Sequence, residues 1–173
     1  MTFPVQDQPL AIALANTQAV SRGKRVDLLS TPGDLAAWLE LHALAQGAAL
    51  APVRELREEL RAALGAVTEG RDPPQGSLDV INAASASAPA YPQLDWPAGI
   101  RTETLASDAT AATLAAVARS AIDLLGRADR ERLRSCAAPG CILFFLAPTA
   151  RRLWCSPACG TRVRVARYAS RAN

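Results

Sequence analysis

The sequence predicts a mainly α-helical protein with a short β-hairpin, divided into a helical N-terminal domain (residues 1–126) and a small C-terminal module (residues 127–173). Three observations carry this reading. Alanine is abundant and aromatics make up only 5% of the chain, a balance that favours helices over sheet. Apolar residues recur near helical period through much of the first 126 positions. All four cysteines lie in the last 38 residues. With 173 residues, half of them hydrophobic, the chain can build one ordinary core and one small module beside it.

The elements follow in order. Residues 1–9 are polar and contain prolines, which suits a loose end. Residues 10–20 (LAIALANTQAV) are apolar around an Asn-Thr step and are read as a helix. Residues 21–25 form a basic turn around Gly23. Thr31 as cap, Pro32 at the first helical position and Asp34 in the first turn announce the next helix. Its apolar positions are Leu35, Trp38, Leu39 and Leu41, and Gly47 is read as its end. Pro52 opens an amphipathic helix with Val53, Leu56, Leu60, Leu64 and Val67 on one face, leaving Glu55, Arg57, Glu58, Glu59 and Arg61 to the solvent side. Residues 72–76 (DPPQG) are a loop, and Ser77 starts a further helix through Leu78, Ile81 and Asn82. Two short strands flank residues 97–99. Asp108 then caps a long alanine-rich helix that ends at Gly126. Residues 127–135 are a charged join.

Charge is divided unequally. Residues 1–126 carry 9 Lys/Arg against 14 Asp/Glu, whereas residues 127–173 carry 10 Arg against 2 acids, a local balance of +8. A basic end of this kind suits an anionic partner; a solubilising tail is the plainer alternative. Neither an export signal nor a run of about 18 apolar residues is present, so the expected compartment is the cytoplasm and no membrane span is expected. Thiols stay reduced there, and clustered cysteines then more often hold a metal than form disulfides.

The cysteine spacing is Cys136-x4-Cys141-x13-Cys155-x3-Cys159. Two close pairs separated by a short span are what a tetrahedral thiolate site needs. Pro139 and Gly140 supply the turn of the first knuckle. Residues 142–146 and 151–154 are read as the two arms of a hairpin between the pairs. Ser156 as cap and Pro157 as first helical residue put Cys159 in the first turn of a helix, where the positive helix end favours a thiolate. Knuckle, hairpin and helix together make a treble-clef-like module with one structural zinc ion. An iron–sulfur cluster is the main competitor. The site has no spare ligand position and no neighbouring His or Glu base, which argues for structure rather than catalysis.

In the helix that follows, Arg164, Arg167 and Arg171 share a face, with Arg162 to one side and Val163, Ala166 and Tyr168 available for packing. Arg151 and Arg152 extend the patch. Such arginines suit phosphates, through bidentate hydrogen bonds and counterion release. A solvated face is the alternative.

"CAAPGCILFFL" and "RRLWCSPACGTRVRVARYASR" resemble the CGNR zinc-finger family, named for a Cys-Gly-Asn-Arg stretch at the last ligand. Here that stretch is Cys159-Gly160-Thr161-Arg162, with threonine in place of asparagine, and the hairpin turn is shorter than is usual in the family. "PLAIALANT", "DLLSTPGDLAAWL" and the spacing of Asn82 resemble the ABATE-type domain found ahead of this finger. The resemblance implies a stress-induced transcription regulator whose finger binds DNA and whose larger domain senses a ligand or a partner. The leading reading is therefore a bacterial-type regulator in which the helical domain of residues 1–126 senses a small-molecule effector or forms a homodimer.

Other residues carry weaker signals. Asn16 and Thr17 are polar inside an apolar stretch, and either line a small-molecule site or hydrogen-bond within the fold. His42, the lone histidine, reads as packed or surface, and Trp38, Trp96 and Trp154 read as core. With no phosphate loop, nucleophile–base pair or paired carboxylates, an enzyme is disfavoured. Two alternatives to the DNA-binding regulator remain: a zinc-stabilised protein-interaction module, and a small-molecule-binding protein acting through the helical domain.

Overall fold

A computed structural model describes residues 3–5 and 7–172, the side chains of residues 169–172 excepted. The order is α1 (Leu10–Ala15), β1 (Gln18–Ser21), β2 (Lys24–Asp27), α2 (Pro32–Leu41), α3 (Leu50–Thr68), α4 (Gln75–Ala86), β3 (Ala90–Asp95), β4 (Gly99–Thr104), α5 (Ala109–Gly126), a 3-10 turn (Ala128–Arg132), β5 (Leu133–Ser135), β6 (Phe144–Leu146) and α6 (Pro157–Ala172). The fold is mainly helical, and its strands pair as three separate two-stranded antiparallel sheets.

Caps set several boundaries. Thr31 Oγ1 accepts from the Asp34 N–H, while the Asp34 carboxylate accepts from the Thr31 N–H at 2.9 Å, a reciprocal box that starts α2. Asp108 caps α5 through the Ala111 N–H. Helix α2 stops at Leu41 rather than running to Gly47, because Ala43 turns left-handed at φ 52. Helix α1 is shorter than expected, and Val20 lies in a strand. The side chains that follow Ala15 compete with the helical ladder: Thr17 Oγ1 donates back to the Leu14 carbonyl at 2.7 Å, and Asn16 bonds elsewhere. The basic turn narrows to Arg22 and Gly23, both at positive φ, and the residues around it form the β1–β2 hairpin.

Helices α1 to α5 bury Leu14, Trp38, Leu60, Ile81, Val117 and Ala121 in a common core. Among the described residues, α5 alone is long and apolar enough to cross a membrane, and its inner face of Ala115, Val117, Ala118 and Ala121 is packed inside the protein. His42 rests on Trp38 with ring centroids 4.5 Å apart, and burial holds its imidazole below its ordinary pKa. Trp96 departs from expectation: it is 85% exposed at the tip of the β3–β4 hairpin.

The C-terminal hairpin is built differently from the one expected. Strand β6 pairs with β5, Leu133 opposite Leu146 and Ser135 opposite Phe144, and not with residues 151–154. The first cysteine knuckle is therefore the loop of this hairpin. Leu133 and Phe144 are apolar, so the join supplies a strand with a buried face, whereas Arg152 and Leu153 lie in irregular chain tied to the knuckle by the Ala137 N–H to Leu153 carbonyl bond.

A third apolar cluster joins the two parts of the chain. Ile12, Ala15, Leu64 and Leu124 from the helical body pack with Leu133 and Phe144 from the hairpin.

Candidate metal centre and basic helix

The four cysteines converge from two directions. Cys136 leaves β5, with its N–H bonded to the Leu143 carbonyl at 2.9 Å. Gly140, at φ 72, turns the chain so that Cys141 returns toward Cys136, its N–H donating to the Ala138 carbonyl. The second pair rides on the start of α6, where Ser156 Oγ accepts from the Cys159 N–H at 3.3 Å. Sγ atoms of Cys141, Cys155 and Cys159 stand 3.7–3.9 Å apart, and all four lie within 4.8 Å of one another. A tetrahedral zinc site with Zn–S bonds of about 2.3 Å has sulfurs about 3.8 Å apart, so the donor set and its spacing fit one zinc ion. Zinc in such a closed site supplies folding free energy.

The thiols compete for protons. The hydrogen bond with Cys155 holds Cys141 down to about 5, and the same contact pushes Cys155 up. Burial pushes Cys136 up. Metal binding displaces the protons that remain.

A small core supports the centre: Leu143, Phe145 and Val163 pack on the cysteines. Gly160 is buried against the Trp154 ring, which leaves little room for a side chain, since a Cβ at this position would lie 3.2 Å from it. Arg152 is part of this scaffold. Its guanidinium donates to the carbonyls of Trp154 and Cys155, at 3.1 and 2.7 Å, and lies over the Phe145 ring. That use removes Arg152 from the expected patch.

The remaining arginines are at the surface. Arg151 is exposed beside the turn. Arg162 Nη2 approaches Cys159 Sγ at 3.7 Å, and Arg164 donates to Thr161 Oγ1 at 3.1 Å. Arg167 is exposed, and the Arg171 side chain lies outside the described residues. Past Val163, positions 164–168 are all exposed, so α6 projects from the module. Ala166 and Tyr168 do not pack on the hairpin as expected; Tyr168 is 79% exposed because the core ends at Val163.

Asn16 and Thr17 are fully buried, and their polar atoms have protein partners. Asn16 Nδ2 donates to the Phe144 carbonyl at 2.9 Å and its Oδ1 accepts from the Phe144 N–H at 2.9 Å, which pairs the helical body with the edge of β6. Thr17 Oγ1 accepts from Arg57 at 3.1 Å. These contacts are the hydrogen bonding within the fold that was one of the two readings of these residues, the other being a small-molecule site.

A family model described as "Putative stress-induced transcription regulator" (ABATE) matches residues 8–128, and the CGNR zinc finger model matches residues 132–172. The chain belongs to the ABATE family. No curated protein matches it.

Within the ABATE region, two arginines expected on the solvent side of α3 turn inward. Arg57, 1% exposed, donates to both carboxylate oxygens of Asp27 at 2.6 and 2.8 Å. Arg61 donates to the carbonyls of Ala15 (2.6 Å) and Ile142 (3.1 Å) and lies over the Phe144 ring. Both positions fall on the apolar stripe of α3: Arg57 follows Val53 by four residues, and Arg61 precedes Leu64 by three. Stripe position, rather than residue type, was the available signal. Gln8 completes the seam by accepting from the Leu146 N–H at 2.7 Å.

Replacing Asn16 by Ala is expected to cost about 2–4 kcal/mol, because it leaves both backbone groups of Phe144 buried without partners. Urea unfolding would register this as a lower midpoint with little change in slope. A change within about 0.5 kcal/mol would mean that water reaches the seam.

Proposed function

We propose that this ABATE-family chain is a DNA-binding transcription regulator that carries no catalytic centre, with α6 as the element that meets DNA. The observation that carries the reading is the projecting half of α6, exposed through positions 164–168 and bearing Arg164 and Arg167 on a module of local charge +8. A helix about 10–12 Å wide matches a major groove about 12 Å wide. Arginines on it would hold phosphates and release counterions, a contact that positions the helix without reading sequence. Arg162 and Arg151 flank that surface; Arg171 would extend it one turn further. Exposed Val165 and Tyr168 lie among these arginines and offer apolar contacts to base edges. The helical body would respond to an effector or partner and transmit the response through the seam at Phe144. The cytoplasm, where thiols stay reduced and DNA is accessible, is the compartment in which this chemistry works.

Binding of the zinc-loaded protein to duplex DNA across a salt series tests the reading. Affinity should fall steeply with salt. Arg164→Ala with Arg167→Ala should flatten the slope by about 1.8, at roughly 0.9 for each phosphate no longer neutralised. The fold should stay intact, because both side chains are at the surface. Unchanged binding in the double variant would move the contact off α6. Failure to bind at low salt would favour an acidic protein as the partner, met through the same arginines with Val165 and Tyr168.

A further inference from the structure

The β3–β4 hairpin is an amphipathic arm whose apolar side none of the described residues covers. Cross-strand partners share a face, so the register Leu94–Ile100, Pro92–Thr102 and Ala90–Thr104 makes one side apolar, while Gln93–Arg101 and Tyr91–Glu103 make the other polar. Arg101 and Glu103 form an ion pair on that polar side. Leu94 is 70% exposed and Ile100 79%, with Trp96 beyond them at the tip. An isolated two-stranded hairpin is at best marginally stable in water, and a third strand or a packed face is what such an arm needs.

The same chain carries a surface that matches it. A largely apolar groove of about 280 Å³ opens between α4 and α5, lined by Pro73, Leu78, Ile81, Ile122 and Leu125 with the exposed Asn82 among them, and is large enough for an indole ring. Ile122, one of its lining residues, is 41% exposed. The groove uses the first turns of α4 and the last turns of α5, at the opposite end of this helix pair from the root of the arm.

We propose that the chain forms a twofold dimer by arm exchange, with Trp96 and the Leu94–Ile100 face of each copy seated in the α4–α5 groove of the other. Placing two α4–α5 pairs side by side and antiparallel brings the arm root of one copy next to the groove of its partner. Packed helices lie about 8–10 Å apart, and an arm with six-residue strands reaches about 20 Å, enough to cross. The exposed apolar side chains of the arm amount to about 500 Å². Each copy also buries the groove and the surface around it that its partner's arm covers, an area comparable to the arm's own, so the interface approaches the roughly 800 Å² per partner of a stable complex. Both halves of the contact are present in every chain, so the twofold pair closes without leaving either exposed. The proposal is independent of DNA binding, since neither surface includes α6.

Sedimentation of the zinc-loaded full chain at tens of micromolar tests it. The expected mass is twice the 18.2 kDa chain. Trp96→Asp should raise the dimer dissociation constant by about 100-fold, the loss typical of a central aromatic anchor. Ile122→Glu, made in the groove, should raise it at least about 10-fold. Both sites are exposed in the single chain, so zinc content and far-UV circular dichroism should not change. A monomeric wild type, or a dimer indifferent to Trp96→Asp, overturns the proposal. A dimer that dissociates with Trp96→Asp but not with Ile122→Glu also overturns it, because the arm would then meet something other than the groove.

Discussion

Cys155→Ser protein is expected to lose its zinc, from one ion per chain to near none, and to melt about 10–20 °C lower than wild type. The first effect follows from the ligand set: Cys155 lies within 3.9 Å of the Cys141 and Cys159 sulfurs, and its N–H donates to Cys136 Sγ, so its loss opens the centre. The second follows from the seam. The module's own core is small, and a structural zinc contributes much of the folding free energy of such a module. When the module unfolds, Ile12, Leu64 and Leu124 lose the cover of Leu133 and Phe144, and Asn16 and Gln8 lose their backbone partners. A loss of about 5 kcal/mol corresponds to the stated shift at about 2–4 °C per kcal/mol. Chelator added to wild type should reproduce the lower melt. Two separate transitions, with the helical body melting at its original temperature, would show that the seam does not couple the parts.

The second large effect is expected at Asp27. Arg57 is buried beneath it and Arg54 lies 3.0 Å away at the surface, so Asp27→Ala leaves a buried guanidinium with only the exposed Glu58 carboxylate beside it. Removing one partner of a buried pair costs about 3–5 kcal/mol. Asp27→Leu combined with Arg57→Met should recover most of the loss, because an apolar pair of similar size carries no desolvation penalty. Chemical denaturation of the single and double variants measures both. Equal losses in the two would mean that packing, rather than the unpaired charge, dominates. The pair also predicts a pH dependence. Burial raises the Asp27 pKa, but the hydrogen bonds from Arg57 and Leu29 and the charges of Arg57 and Arg54 together hold the carboxyl below its ordinary value of 3.8. A depressed folded-state pKa gives stability that is fully present above 3.8 and is lost as pH falls below it through the folded value. Wild type should therefore lose stability in that acid range, and Asp27→Ala should lose less there.

Local chemistry made much of this legible before any fold was known. Thr31, Pro32 and Asp34 start α2 because the signal needs only residues in contact along the chain. Asp108 before α5, and Ser156 and Pro157 before α6, work in the same way. The four cysteines read as one centre because their spacing and their chemistry point the same way, and the match to the CGNR model agrees with the resemblance seen in those residues. The division of charge was likewise a property of composition.

Partners distant in sequence decided the rest. Asn16 and Phe144 are 128 residues apart, and nothing near Asn16 signals that its amide will pair with a strand edge instead of a ligand. Arg57 is buried because Asp27 arrives from a hairpin thirty residues earlier; a charge on an apolar stripe stays inside only when its counterion comes from elsewhere in the fold. Strand β6 could have paired on either side, and it takes β5 because the register puts Leu133 and Phe144 against Ile12, Leu64 and Leu124. Trp96, an apolar residue read as core, is exposed because no element among the described residues covers the arm. Helix caps and metal ligands are encoded by neighbours in sequence, whereas burial, strand pairing and the seam depend on which surfaces meet, and that is set only when the whole chain has packed.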